Sequence, residues 1–486
     1  MNLRTCLVCL GFAAALHTPA PAHAGTLLVK DALLITMKPG QEKPFLGYML
    51  VGEDGRIASI AEGSPPPDIA AGTVIDAQGK IVAPGFVSAH SHLFMSPLRG
   101  LGHSETLYGW IHAFSRLTNR ATADDIYWFS LHGSLDFLRN GITTAYDFID
   151  REEAISRGPD GGALKYPAPV VKPVEYGENQ LRAKADAGLR FINSVWLLDS
   201  ATKEEALRRL ELEIAFAKEH YSQNPLFLKM ALSGSQQFSP TRATAALETY
   251  VMKHYGLMNQ SHFLESPDRI SEQQEKFWWY VDAGTLGPDF IFGHFIQTTP
   301  QIVRVAAQSG ASMSWQPSSN SRLASGVADI PLYREFGMKV AVGLDDQSCT
   351  DISDPFQNMR IGLALIRTKY KDARSLSVYD MLFLHTLSSA QVLHIADKVG
   401  SLEPGKYADF LVVDPRSPDT GPLHDALATY VLACGLRNLK AVYVGGRQVA
   451  SGDTLLTYDE TIVRREVDTR IARLQAEAAA AEAAAH

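Results

Sequence analysis

Eight apolar runs that end in polar or glycine-rich stretches most constrain the fold of this chain. Helix-like stretches such as 204–219 and 243–254 separate them. Eight buried strands that alternate with helices are the pattern of a (β/α)8 barrel. The sequence therefore predicts an α/β chain whose largest unit is a TIM-type barrel over residues 85–398. The eight runs are 81–89, 142–148, 189–196, 226–232, 257–264, 290–295, 312–316 and 339–345.

Two β-rich segments flank this predicted barrel. Alternating apolar residues occupy 27–60, and Glu53-Asp-Gly-Arg56 is typical of a hairpin turn between two strands. A second set spans 408–450, with Gly445-Gly446 at its turn. We predict one small β-sandwich domain built from both termini, with residues 25–84 as its first part and 399–455 as its second.

Both ends of the chain carry segments outside these two domains. Arg4 precedes the short apolar run 6–16, a proline-rich stretch follows, and Ala22-His-Ala24 fits the small-x-small pattern of signal peptidase. Residues 1–24 are thus predicted to be a signal peptide, too short for a permanent anchor, and the prolines disfavour the alternative of a buried first helix. The alanine-rich residues 456–486 predict a solvated terminal helix, because they favour helix without a broad apolar stripe.

Charge and cysteine content narrow the function. The 45 basic and 53 acidic side chains give a net charge of −8, with no basic stripe, which excludes a dedicated nucleic-acid binder. Four cysteines in 486 residues do not form a disulfide scaffold. No later run of about 18 apolar residues follows the leader. We expect a periplasmic or secreted protein that acts on a small molecule and does not associate with membranes after the signal peptide is removed.

Polar side chains end four of the eight apolar runs. His90 and His92 point to one face of the first strand, because alternate residues of a strand share a face. The carboxyl ends of barrel strands meet at one side of the barrel, where active sites lie. Each histidine alone could be a buried structural residue, but their shared position favours a metal site of imidazole and carboxylate ligands. The other residues of the set are His262 and Glu265 at the end of the fifth run, His294 at the end of the sixth and Asp345 at the end of the eighth.

This constellation resembles the amidohydrolase superfamily, in the branch that holds cytosine and guanine deaminases and the hydrolases of s-triazines. The resemblance covers about residues 25–449. Its further motifs are Gly141-Ile-Thr-Thr144, Ser319-Asn-Ser-Arg-Leu-Ala-Ser-Gly326, Thr386-Leu-Ser-Ser-Ala390 and the segment from Gly400 to Asp414.

The resemblance implies one divalent metal ion, with Zn²⁺ favoured over Fe²⁺, although nitrogen and oxygen ligands accept both. His90, His92, His262 and Asp345 would hold it, and it would lower the pKa of water so that hydroxide is the nucleophile. Glu265 would carry a proton from that water to the substrate, and Asp345 would also accept one. His294 would stabilise developing charge.

Two alternatives remain open for the metal site. Asp346 adjoins Asp345 and could replace it, although the end of the apolar run favours Asp345. Lys229 lies on the predicted fourth strand, and other amidohydrolases carbamylate a lysine there to bridge two metal ions. The pattern around Glu265 is typical of the single-metal branch.

Substrate contacts are less defined than the metal site. The sequence predicts a metal-dependent hydrolase of non-peptide C–N bonds, acting as a deaminase of an amino-substituted nitrogen heterocycle. An amidase or urea-type hydrolase, a dechlorinating hydrolase and a non-catalytic exported binding protein are the alternatives. A homodimer is expected from the family alone. Candidate substrate contacts, which could equally be structural, are Gln236, Gln237, Trp315 and Asn320, with Arg99, Glu105 and Trp110 as further pocket candidates.

Overall fold

A computed structural model describes residues 26–150, 171–198, 202–418 and 420–485. The predicted signal peptide lies outside the described residues. Among the helices that the model describes, none is both long and apolar enough to span a bilayer.

The first five strands lie before the barrel. β2 and β3 pair antiparallel around the predicted turn at 53–56, and β1 lies between β2 and β5. The hairpin prediction is therefore confirmed. These strands are β1 (Leu27–Leu34), β2 (Phe45–Val51), β3 (Ile57–Glu62), β4 (Thr73–Asp76) and β5 (Ile81–Pro84).

Eight parallel strands then form the predicted barrel, in the same order in space as in sequence. A bridge between Ser91 and Asp345 brings the last strand against the first. The fold class is confirmed, and the strand ends that close the barrel are also those of the predicted site. The strands are β6 (Phe86–Ser91), β7 (Ile142–Phe148), β8 (Arg190–Trp196), β9 (Phe227–Gly234), β10 (Asn259–Phe263), β11 (Phe290–His294), β12 (Ser312–Trp315) and β13 (Val340–Val342).

The apolar run at 81–89 is two strands rather than the single barrel strand predicted. Ile81–Pro84 belongs to the β domain, and the barrel strand begins at Phe86. Gly85 separates them, and a Cβ there would lie 2.1 Å from Thr143 Oγ1 on β7. Only glycine lets the chain pass this close to β7 as it crosses from one domain to the other.

Helices cover the outside of the barrel. Thr122 and Thr202 cap α2 and α4 with their side chains, and left-handed glycines at 188 and 256 end α3 and α5. Sequence-encoded caps thus define the helix ends. The helices are α1 (Leu107–Thr118), α2 (Ala123–Arg139), α3 (Glu175–Ala187), α4 (Lys203–Tyr221), α5 (Ala243–Tyr255), α6 (Ile270–Ala283), α7 (Pro300–Ser309), α8 (Pro317–Arg322), α9 (Ile330–Glu335), α10 (Pro355–Tyr370), α11 (Val378–Leu384), α12 (Leu387–Val392) and α13 (Ala426–Leu432).

The chain then returns to the first sheet. β14 pairs antiparallel with β5, so strands from both termini form one nine-stranded sheet. The prediction of a separate β domain made from both termini is confirmed. The returning strands are β14 (Phe410–Val413), β15 (Leu439–Val444), β16 (Arg447–Ser451) and β17 (Thr454–Leu455).

Apolar side chains fill the amino end of the barrel. Ile192, Ala231 and Ile291 point inward, and Leu393 and Ile395, which follow α12, pack against them. The packed interior leaves the carboxyl end as the side on which polar groups converge.

The terminal helix α14 (Glu460–Ala485) is less solvated than its sequence predicts. Val463 and Leu474 are buried, and Arg473 pairs with Asp125 of α2. The prediction of a solvated helix is wrong for the face of α14 that packs on α2. The apolar stripe on this face is narrow, and the many alanines around it make it hard to recognise in the sequence.

Candidate active site

The first histidine of the site depends on two glycines. His90, at the carboxyl end of β6, is fully buried. A Cβ on Gly343 would lie 2.6 Å from the Cβ of His90, and one on Gly293 would lie 2.9 Å from its Cε1. Strands β11 and β13 can therefore enclose the imidazole only because neither carries a side chain at these positions.

An amide fixes the orientation of His90. Its Nδ1 lies 2.6 Å from Oε1 of Gln260, while Nε2 of Gln260 donates to the carbonyl of Ala89 at 2.9 Å. Because Oε1 can only accept, Nδ1 of His90 carries the hydrogen and Nε2 carries the lone pair. That Nε2 is buried without a hydrogen-bond partner among the described residues, as a metal ligand would be.

The predicted ligands lie in two overlapping groups around His90: donor atoms of His90, His92 and Asp345 lie within 4.8 Å of one another, and so do those of His90, His262 and His294. Nε2 of His92 lies 3.0 Å from Nε2 of His262. Oδ1 of Asp345 lies 3.6 Å from Nε2 of His90 and 3.7 Å from that of His92. Ligands about 2.1 Å from one tetrahedral ion would be roughly 3.4 Å apart. Imidazole and carboxylate groups at these separations fit a divalent ion, and His294 lies within the same range of His90 and His262.

Burial puts the ligands in the states that suit a cation. It lowers the pKa of His90 to about 3, and burial together with His90 lowers the pKa of His92. These two imidazoles are therefore neutral, as ligands must be. Burial and the neighbouring Asp346 raise the pKa of Asp345. A bound cation would reverse that direction and favour the carboxylate.

The geometry separates Asp345 from Asp346. The backbone N–H of Asp345 donates to the carbonyl of His90 at 3.0 Å, and Ser319 Oγ donates to its Oδ2 at 2.6 Å. Oδ1 of Asp346 instead accepts hydrogen bonds from the backbone N–H groups of Ser348 and Cys349. Asp345 is thus the carboxylate that faces the histidines, and Asp346 fixes the following turn.

Glu265 and His294 face each other beside the ligands. Nε2 of His294 lies 3.6 Å from Oε2 of Glu265 and 3.9 Å from Oδ2 of Asp345. Burial first, and then Asp345, raises the pKa of Glu265 well above its usual range. Leu264, His294 and Asp345 have φ of 51°, 67° and 68°. Residues other than glycine seldom adopt this left-handed conformation, and those that do are concentrated at functional sites.

Aromatic rings line the same region. The ring of Phe148 lies 4.6 Å from that of His90 and 4.9 Å from that of His92. Trp196 stacks on His262 at 6.0 Å and 17°, and Phe238 lies 6.3 Å from the same imidazole. These flat apolar surfaces exclude water and suit a planar substrate.

The structure distinguishes among the four predicted substrate contacts. Gln236 holds its own loop, since Nε2 donates to Thr241 and Oε1 accepts from the N–H of Ala245. Gln237 is 3% exposed and neither atom of its amide has a hydrogen-bond partner among the described residues. It remains a candidate contact, whereas the loop bonds of Gln236 favour the structural alternative.

Trp315 and Asn320, the other two predicted substrate contacts, differ in their position relative to the site. The Trp315 ring packs beside Gly362 of α10, outside the barrel, so the predicted stacking on substrate is not supported. Nδ2 of Asn320 lies 2.8 Å from Nδ1 of His294. Asn320 therefore contacts a predicted catalytic residue.

The further pocket candidates have structural contacts. Arg99 pairs with Asp136 at 2.6 Å, and Trp110 packs on Phe114 with ring centroids 4.7 Å apart. The Glu105 carboxylate lies beside Gly109 at the start of α1. None of these contacts reaches the histidines.

Lys229 lies at the opposite end of the barrel. Its Nζ is 3.4 Å from the carbonyl of His394, in the segment that closes the amino end. A carbamate on this lysine would be far from His90 and His92, so the two-metal alternative is not supported by its position.

Sequence reasoning missed several residues that support the site. Gln260 precedes His262 by two positions on β10 and shares its face, a signal that alternation could have given. Ser319 opens a motif already assigned to the family. Phe148 and Trp196 end β7 and β8, where the apolar runs concealed their position.

The model of the amidohydrolase family matches residues 81–449. A 5-methylthioadenosine/S-adenosylhomocysteine deaminase of Bacillus cereus (strain AH187) is 26% identical over 442 residues, which cover 88% of this chain and 95% of that protein.

Two solved structures share the fold. An adenosine deaminase from Xanthomonas campestris with bound zinc has a TM-score of 0.79 and 19% identity, over 93% of this chain and 98% of that one. The zinc complex of an atrazine chlorohydrolase from Arthrobacter aurescens TC1 has a TM-score of 0.77 and 17% identity, over 92% of this chain and 100% of that one.

Proposed function

The chain belongs to the amidohydrolase family, and from that membership we propose that it removes an amino group from a nitrogen heterocycle by hydrolysis. One observation carries the proposal. Two buried carboxyl groups, Glu265 and Asp345, flank His294 beside the predicted imidazole ligands. This provides separate proton carriers next to a cation site.

His90, His92, His262 and Asp345 would hold one divalent ion, for which we propose Zn²⁺. When bound, such an ion supplies Lewis acidity that lowers the pKa of water toward neutrality. Gln260 keeps the lone pair of His90 directed into this set.

Hydrolytic deamination moves two protons. Water adds through its oxygen to the carbon that bears the amino group. Glu265 takes one water proton and delivers it to the ring nitrogen, a transfer that its raised pKa assists. Asp345 takes the other proton and passes it to the amino group, which leaves as ammonia. The carbon keeps the oxygen, so every atom of the water is used.

His294 and the aromatic rings position the reacting groups. Nε2 of His294 lies near both carboxyl groups, where it can contact the attacking oxygen and the charge that develops there. Phe148 and Trp196 offer flat surfaces for a planar ring. The deaminase relative, similar over nearly its full length, supports this reaction over other hydrolyses.

A screen of ammonia release tests the proposed reaction. Zinc-loaded protein is incubated with aminopurines, aminopyrimidines, pterins and aminotriazines, and we expect ammonia together with the hydroxylated ring. Release of an alkylamine or of chloride instead would favour the amidase or dechlorinating alternatives. Full zinc occupancy without turnover across the panel would favour a binding protein.

Metal analysis tests the proposed ligands. We expect one ion per chain, with metal and activity both removed by a chelator and both restored by Zn²⁺. His90→Ala should lose the ion, while His103→Ala, a change of an exposed histidine, should keep it. Two ions per chain, or full retention in His90→Ala, would contradict the ligand set.

We also propose that the protein is exported and cleaved before Gly25, a proposal supported by the sequence of residues 1–24 alone. Expression with its own leader in a bacterium should give periplasmic protein whose amino terminus is Gly25. Uncleaved protein in the cytoplasm would contradict it. A homodimer is the proposed assembly, which light scattering of the mature protein tests.

A further inference from the structure

We propose that Asn320 is a positioning residue that holds His294 in the tautomer with its proton on Nε2, so that this imidazole donates a hydrogen bond into the site. The effect on catalysis rests on the proposed function, whereas the tautomer itself does not.

The first observation is at one edge of the His294 ring. Nδ1 lies 2.8 Å from Nδ2 of Asn320, and both side chains are buried. With the Asn320 amide in this orientation its nitrogen donates, so Nδ1 carries the lone pair, while its Oδ1 has no hydrogen-bond partner among the described residues. In a neutral imidazole the proton is then on Nε2.

The second observation is at the opposite edge. Nε2 faces Oε2 of Glu265 at 3.6 Å and Oδ2 of Asp345 at 3.9 Å. When these carboxyl groups are ionised, a proton on Nε2 is attracted to both oxygens, whereas a lone pair would be repelled by them. Rotating the Asn320 amide would place its oxygen at Nδ1 and turn that lone pair toward the carboxyl groups. Both edges of the ring therefore favour the same tautomer.

The neighbouring His90 shows the opposite arrangement. Its ring centroid is 4.9 Å from that of His294, yet the oxygen of Gln260 contacts its Nδ1. Gln260 thus directs a lone pair into the site, and Asn320 directs a proton there. Two amides give adjacent imidazoles different roles, one as a metal ligand and the other as a hydrogen-bond donor.

Backbone contacts hold Asn320 in place. Its N–H donates to the carbonyl of Gln316 at 2.9 Å, and its carbonyl accepts from Ser325 at 2.8 Å. Oε1 of Gln316 accepts the N–H of His294 at 3.0 Å. The segment that begins α8 therefore contacts His294 at both its backbone and its ring, which fixes the amide relative to the imidazole.

Nitrogen NMR of zinc-loaded protein with ¹⁵N-labelled histidine tests the tautomer directly and needs no substrate. His294→Gln identifies the signals of this ring. We expect a protonated Nε2 and an unprotonated Nδ1 for His294. A proton on Nδ1, or the shift of a zinc-bound Nε2, would overturn the proposal.

Two variants separate positioning from packing. Asn320→Asp keeps the shape but places an acceptor at Nδ1, so we expect the proton to move there and kcat to fall on the order of 10² to 10³-fold, with zinc content retained. Asn320→Ala leaves the His294 ring free to adopt both tautomers, so it should lower kcat less than Asn320→Asp does. A purely structural residue would show the reverse order, because only alanine leaves a cavity.

Ser321→Ala is the matched control on the same helix, since its hydroxyl contacts only the carbonyl of Pro317 among the described residues. It should retain the kcat and the His294 signals of the unmodified protein. Wild-type kcat and an unchanged tautomer in Asn320→Asp would overturn the proposal. If the NMR shows the expected tautomer but no substrate releases ammonia, the proposed function fails while this inference stands.

Discussion

The two ends of the barrel use buried polar groups in opposite ways. At the carboxyl end, Nε2 of His90 and Oε2 of Glu265 are buried without hydrogen-bond partners among the described residues. At the amino end, Arg190 makes two hydrogen bonds of 2.8 Å to Asp409, which precedes β14. Arg190 also lies 3.8 Å above the ring of Tyr407.

This difference indicates that the buried polar groups at the carboxyl end serve function, and that those at the amino end serve stability. A buried polar atom without a partner costs free energy, and a bound ligand can recover that cost by satisfying it. At the amino end, the charges of Arg190 and Asp409 are paired with each other across the junction of the two domains. Barrels in general place chemistry at the carboxyl end and stability at the other.

The largest effect should follow a change at the carboxyl end. Glu265→Gln removes a proton carrier without changing shape, so we expect turnover to fall about 10² to 10⁴-fold. Metal content and melting temperature should remain unchanged. Glu248→Gln is the control, because Glu248 is equally buried but hydrogen-bonds Tyr280 outside the barrel. Near-normal turnover of Glu265→Gln would remove Glu265 from the proposed reaction.

A change at the amino end should affect stability instead. Asp409→Asn leaves the buried Arg190 without its full counter-charge, at a cost of about 3 kcal/mol in the free energy of unfolding. Denaturant unfolding measures this, and kcat of the folded fraction should be unchanged. Glu205→Gln, at an exposed pair with Arg208, should not move the transition. A fall in kcat with full stability would break the division between the two ends.

The terminal helix α14 should contribute to the free energy of unfolding, although it lies at neither end of the barrel. Leu474→Ala removes a fully buried side chain between α14 and α2, and we expect a loss of about 2 kcal/mol. Ile462→Ala, at a residue 39% exposed on the same helix, should cost little. Equal stability of the two variants would restore the prediction of a solvated tail.

No effect on metal binding is expected from Lys229→Met. Because Nζ of Lys229 contacts the amino-end segment, its removal should leave one ion per chain by elemental analysis. A lower metal content would favour the carbamate alternative and would contradict the position of Lys229 at the amino end of the barrel.

The site was predictable to the extent that it depends on strand periodicity. His90, His92, His262, His294 and Asp345 each end an apolar run, and parallel strands bring such ends together. The same reasoning could not decide between substrate contact and a structural role for Trp315, because the end of an apolar run does not show whether a side chain faces the interior of the barrel or a covering helix. It also treated residues 81–89 as one strand, because a single apolar run continues across the predicted domain boundary between residues 84 and 85.

The sequence by itself determined the barrel, the β domain from both termini and the polar strand ends, since these follow from alternation and from the order of elements. Only the tertiary structure decided which aspartate faces the histidines, where Lys229 lies and which edge of each imidazole meets an amide. Gln260 is 170 residues from His90, and Asn320 is 26 from His294. The tautomers follow from contacts between elements distant in sequence, β10 with β6 and α8 with β11, and no local pattern in the chain specifies them.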